Sequence, residues 1–167
     1  NDRRVKCVVA QVPFISGSQT ISRQVRPDLL EMARAGFAAD RAARMRGEPP
    51  LRMPVVTLDP MQPAVLPTRD AYEFMERYKE VAPLWKNEVT LRSMELAGSY
   101  EPGSYVARIA PTPLLIIAGL RDVVTLTDLA LEAYKNANEP KKLVMMDGGH
   151  FDPYDVKLDQ TSSAAAD

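Results

Sequence analysis

The sequence predicts an α/β protein, with parallel strands, flanking helices and an inserted helical region. Three observations carry this. The apolar run Leu114–Ala118 and the strand Lys142–Met146 bracket an amphipathic helix, Thr125–Ala137. Strand, helix and strand in that order form a βαβ unit, whose strands pair parallel with a right-handed crossover. Near the start lies a Val-rich strand, Val5–Val9, apolar enough to be covered on both faces. Between these parts lies a long stretch, about 19–104, of helical patterns punctuated by proline.

Each element follows from its local pattern. The first strand ends at Pro13-Phe14 and a Ser16-Gly17-Ser18 turn. Pro27 suits a first helical turn, Gly47 and Pro49-Pro50 stop that helix, and Leu29, Ala33 and Phe37 give it an apolar stripe. Arg34, Arg41, Arg44 and Arg46 make its far portion basic, which reads as a solvated face before an anion site. Prolines 50, 54, 60, 63 and 67 exclude a helix over Leu51–Pro67. Thr68 caps the next helix, with Asp70 in its first turn and Ala71, Phe74, Met75 and Tyr78 on one side. A short helix is expected from about Asn87 to Leu96, with Trp85 just before it. In the late helix, Thr125 and Asp128 hold capping-box-like positions, and Leu126, Leu129, Ala130, Ala133 and Tyr134 share a face. The tail from Leu158 looks like a helix opening without its apolar face, with Thr161 or Ser162 as cap.

Composition narrows the function. The chain has 167 residues, 46% hydrophobic and 26% charged, with a formal net charge of −1. Those values exclude disorder and collagen-like structure, and the charge gives no reason to bind nucleic acid. No apolar run approaches the ~18 residues that span a bilayer. A single cysteine, Cys7, excludes an intrachain disulfide framework and most metal clusters. It reads as a small buried hydrophobe within the first strand. No metal or cofactor is expected, and a cytoplasmic location is. One histidine, His150, must serve any chemistry that needs imidazole.

The chemistry gathers where the two late strands end. Leu114–Ala118 runs into Gly119-Leu120-Arg121-Asp122, and Lys142–Met146 runs into Asp147-Gly148-Gly149-His150-Phe151. Sites in open α/β sheets form beyond the carboxyl ends of strands. A histidine base needs a partner that fixes its tautomer and stabilises the imidazolium, and Asp122 can supply it. Two adjacent glycines let the histidine loop approach closely. Asp147 ends the strand that delivers His150 and is the weaker candidate acid. Arg121 is either solvated or locally paired. Asp152 shapes the histidine loop together with Phe151.

Residues 110–122 (APTPLLIIAGLRD) and 148–151 (GGHF) resemble the late part of the α/β-hydrolase fold. That family runs Ser, acid, His along the chain, so the resemblance makes Asp122 the acid and His150 the base. Residues 2–9 (DRRVKCVV) look like the strand that follows the nucleophile helix, and the helical stretch like the cap inserted after it. Arg26-Pro27-Asp28, the Trp85–Leu96 region and residues 148–154 (GGHFDPY) further resemble the fungal polyketide transferase family and its bacterial hydrolase relatives. The expected fold is thus the C-terminal part of an α/β-hydrolase fold plus a helical cap: 1–18 core strand, 19–104 cap, 105–167 C-terminal core.

No Gly-x-Ser-x-Gly nucleophile elbow occurs; Ser16, Ser18, Ser99 and Ser104 all lie outside such a frame. The resemblance implies that a serine and an oxyanion hole come from an N-terminal half of the same protein, the substrate being a small acyl compound, hydrolysed or transferred. Phe14, Phe37, Phe74, Met75, Trp85 and Phe151 are candidates for an apolar acyl pocket; Trp and Met in such positions more often pack a core. A second reading is a non-catalytic α/β-hydrolase-like domain that binds a ligand or protein through its cap. The ends suggest a fragment, the alternatives being a complete small domain with frayed termini or one product of a nicked enzyme. An isolated sheet with an unpaired apolar edge is expected to be insoluble or a homodimer in sedimentation.

Overall fold

The computed structural model describes Asp2 and residues 4–166. The parts of the first-strand and tail readings that fall on Asn1, Arg3 and Asp167 lie outside the described residues. In chain order the elements are β1 (Val8–Gln11), α1 (Gly17–Gln24), α2 (Pro27–Met45), β2 (Arg52–Met53), α3 (Arg69–Tyr78), β3 (Val89–Thr90), α4 (Leu91–Gly98), β4 (Leu114–Gly119), α5 (Thr127–Asn136), β5 (Lys141–Met146) and α6 (Leu158–Ala166). Short 3-10 turns cover Pro102–Arg108 and Asp152–Tyr154. The chain forms two compact units, one of residues 1–20 and 100–167, the other Ile21–Ser99.

The first unit holds a three-stranded parallel sheet in the order β1-β4-β5. All six residues of the central strand β4 are buried, with Ile116 and Ile117 at 1% and 0% exposure. Complete burial of such a side chain contributes about 1.5–3 kcal/mol. Leu114, Ile116 and Ala118 pack with Ala130 and Ala133 of α5 and with Ala137 just after it, and Val8, Ala10, Leu143 and Met145 close the cluster. The small residues of α5 let the helix lie close to the sheet. The βαβ unit and its parallel pairing are as the sequence predicts.

The first strand is shifted. It begins at Val8, where Val8 N–H donates to Pro113 O, and its register faces Leu114–Ile117. Val5 and Cys7 precede it, and Cys7 is exposed rather than buried mid-strand. Val9 is also exposed, and β1 pairs only with β4 among the described residues. The expected turn at Ser16–Ser18 is instead the start of α1, where Gly17 is already helical.

In the second unit α2 starts at Pro27 and stops before Gly47, whose φ of +85° suits glycine. Its inward stripe is Leu30, Ala33, Phe37 and Asp40; Leu29 is exposed. Its arginines are not simply solvated: Arg41, Arg44 and Arg46 pair with Glu95, Asp40 and Glu48. The buried Asp40 accepts from Leu51 N–H and Arg44 Nε, both at 2.8 Å, and these hold its carboxyl below the usual range. Thr68 precedes α3 as expected, yet its hydroxyl makes no capping bond. Ala71, Phe74, Met75 and Tyr78 do share the inward side. The short helix starts later than expected. Asn87 lies in a bend before β3 and clips Val55 and Val56 through its side-chain amide, β3 pairs antiparallel with β2, and Thr90 caps α4.

In the late part, α5 begins at Thr127 and not Thr125, after Leu126 at φ +58°. The tail is helical, but Thr161 lies inside α6 at 1% exposure and donates to Pro153 O; it is not the cap. No helix of the described residues is long and apolar enough to cross a membrane.

Candidate active site

β4 and β5 lie side by side, so their carboxyl ends deliver two loops to one sheet edge. Backbone bonds staple these loops together: Leu120 N–H donates to Met146 O at 2.8 Å, and Arg121 N–H to Gly148 O at 3.0 Å. Arg121 also forms an exposed ion pair with Asp147, so Arg121 is locally paired. The approach requires glycine. A Cβ at Gly119 would sit 2.9 Å from Gly148 O and 3.2 Å from Gly149 O.

Within this staple the Asp122 carboxylate meets the His150 ring, Oδ2 to Nδ1 at 2.9 Å. The Asp122 side chain is 3% exposed and that of His150 16%. Asp122 Oδ1 accepts Val124 N–H at 2.8 Å and Thr125 N–H at 2.9 Å, a turn that aspartate makes with its own following backbone. Thr125 Oγ1 lies 2.8 Å from Asp122 Oδ2. An ionised carboxylate only accepts, so the network assigns the proton to Nδ1 and leaves Nε2 as the basic nitrogen. Phe151 is buried and packs edge-on against the His150 ring, centroids 5.0 Å apart. Asp152 Oδ2 accepts Gly149 N–H at 2.9 Å and so shapes the loop.

The Asp122 carboxyl lies below its ordinary value of 3.8. Burial, the largest influence, pushes it up; the hydrogen bond from His150, the Thr125 N–H, the His150 charge and the Thr125 hydroxyl together outweigh it. The folded value is thus below the unfolded one. Ionised Asp122 stabilises the fold above pH 3.8, and that stabilisation is lost as pH falls through the lower folded value. Chemical denaturation against pH should therefore give a flatter acid limb for Asp122→Asn than for the parent. Parallel limbs would contradict the assignment.

Of the expected site residues, the structure brings together Asp122, His150 and Phe151. Phe14 lies in the same unit and stacks on Tyr100, centroids 6.3 Å apart. Phe37, Phe74, Met75 and Trp85 belong to the second unit, each half-buried there; Phe74 packs on Tyr78 at 4.8 Å. Thr125 is the residue that sequence reasoning misplaced. Its spacing from Asp122 was the available signal, but the same residue also fits a helix cap. Among the described residues no group of His, Cys, Asp and Glu is placed to hold a metal.

A parallel sheet whose neighbouring strand ends carry a buried carboxylate and a histidine is the arrangement of an α/β hydrolase. No family model matches the chain. It is 30% identical to the polyketide transferase grgF of a Penicillium species, over 152 residues that make up 90% of this chain and 49% of that protein. It is 27% identical to a thiohydrolase of Eupenicillium brefeldianum, over 90% of this chain and 49% of that one. The crystal structure of the α/β hydrolase GrgF from Penicillium sp. sh18 superposes with a TM-score of 0.73 at 25% identity, covering 98% of this chain and 55% of that one. DcsB, solved with a substrate analogue, gives 0.77 at 20% identity over 99% and 57%, a likeness of fold. The chain spans about half the length of the curated relatives it matches. It has the α/β-hydrolase fold, and in sequence resembles the fungal polyketide transferases and thiohydrolases.

Proposed function

We propose that this chain is the acid- and histidine-bearing part of a serine-type α/β hydrolase acting on an ester, thioester or other acyl substrate. The observation that carries the reading is the 2.9 Å bond between the buried Asp122 and His150. In this mechanism a serine outside these 167 residues attacks the acyl carbonyl. His150 Nε2 takes the serine proton and later returns one to the leaving group. Asp122 holds the ring and stabilises the imidazolium. Backbone N–H groups of the same outlying part stabilise the oxyanion. Water as second nucleophile gives hydrolysis, and an alcohol gives acyl transfer. The names polyketide transferase and thiohydrolase among the relatives support an acyl group carried as an ester or thioester.

Labelling of the full-length protein with a fluorophosphonate tests this. Peptide mass spectrometry should place the adduct on a serine outside residues 1–167, and His150→Ala should suppress it. A full-length protein that takes no label, or labels equally without His150, would refute the serine mechanism.

A further inference from the structure

Thr125 occupies a position that a helix-cap reading does not explain. Its hydroxyl lies 2.8 Å from Asp122 Oδ2, 3.1 Å from Val12 O and 3.3 Å from His150 Nδ1. Thr125 itself is 7% exposed, so these contacts are made away from bulk water. A hydroxyl has one proton and two lone pairs. It can donate to Asp122 or to Val12 while a lone pair faces the Nδ1–H of His150.

The Val12 partner is unusual. Val12 directly follows β1 and has φ of +39°, a conformation that β-branched residues avoid. It is held there from both sides. Its N–H donates to Ile117 O at 2.8 Å, and its carbonyl lies 3.1 Å from the Thr125 hydroxyl oxygen. Such strain persists only where the surrounding structure imposes it, and it gathers at functional sites. Here the strained carbonyl comes from the first strand and reaches the acid loop that follows the central strand.

We propose that Thr125 is a positioning residue of the acid–histidine pair. Its hydroxyl, seated 3.1 Å from the Val12 carbonyl, donates its one proton to Asp122 Oδ2, the oxygen that accepts from His150, and so holds that oxygen on the Nδ1 side of the ring. The two backbone N–H bonds hold only the other oxygen, Oδ1. Without the hydroxyl, the carboxylate is free to twist about its terminal bond and loosen its grip on the ring. The inference rests on the acyl-transfer reading of the site.

The test is turnover of a p-nitrophenyl ester by the full-length protein. Thr125→Val should lower kcat about tenfold or more at unchanged KM, the size expected for losing a hydrogen bond to a charged group. Thr125→Ser, which keeps the hydroxyl, should recover most of it. If Thr125→Val does not fold, Thr125→Ala takes its place in the comparison. The second readout is the downfield Nδ1–H proton signal of His150, identified by its loss in His150→Ala. It should broaden without the hydroxyl and return with serine. A folded variant with parental kcat, a loss confined to KM, or an unchanged proton signal overturns the proposal. If His150→Ala removes turnover while Thr125→Val does not, only the role of Thr125 falls. If His150→Ala leaves turnover intact, both fall together.

Discussion

Replacing His150 with alanine should lower turnover of a p-nitrophenyl ester by the full-length protein about 10⁴-fold or more, with the fold intact. The physical reason is that His150 is the imidazole that the buried Asp122 orients. The residue packs against Phe151 and bonds Asp122 but lies at the sheet edge, so its removal leaves β4 and β5 untouched. Asp122→Asn should cost a comparable factor by a different route. An amide offers an N–H where the carboxylate only accepts, which favours the wrong ring tautomer and withdraws the charge that stabilises imidazolium. Steady-state kinetics beside circular dichroism decides the matter. Parental turnover in a folded His150→Ala protein would remove these residues from the chemistry.

Gly119→Ala should damage both stability and catalysis. The added methyl would meet the carbonyls of Gly148 and Gly149, and backbone cannot swing aside as the end of a long side chain can. Overpacking of this kind costs typically about 1–3 kcal/mol. The relief available is for the histidine loop to move outward, which stretches the 2.9 Å acid–histidine contact. A misplacement of about 1 Å lowers rates on the order of 10²-fold. Thermal melting and kinetics on one sample separate the two effects. An alanine variant that melts and turns over like the parent would show that the loops approach less closely than described.

The meeting of Asp122 and His150 was legible because the α/β rule gathers side chains of interest at strand ends, and the strands themselves are strongly patterned. Leu114–Ala118 is apolar throughout because both its faces are covered, and such a run has few competing readings. The first strand was read three residues early, since Val5 looks as strand-like as Val8. Only pairing with β4 sets the register, and pairing is not written in local residues. The inward side of α2 was misjudged for a related reason. Leu29 and Leu30 are equally apolar, and the buried Asp40 that settles the stripe reads as a surface charge until Leu51 N–H and Arg44 reach it. Asn87 was hidden by distance, as its partners lie about thirty residues back. Thr125 reads locally as a helix cap, and its contact with the Val12 carbonyl, more than a hundred residues away, is not written in its neighbours.

The point where the chain leaves and rejoins the sheet-bearing unit has a consequence for how the fold tolerates change. Gly17 N–H donates to Tyr100 O at 2.8 Å, and the Glu101 carboxylate accepts Ser18 N–H at 2.9 Å, so departure and return are fastened side by side. A flexible connection of roughly eighty residues, against one of five, would add only about 2.5 kcal/mol of closure entropy. The Ile21–Ser99 stretch is no flexible connection but a compact body with clasped ends. The pairing of β1 with β4 therefore senses the width of the clasp and not the length of chain beyond it. Changes of length within that stretch are expected to leave the β1–β4 register in place while these two bonds persist, which a thermal melt of a shortened variant would check.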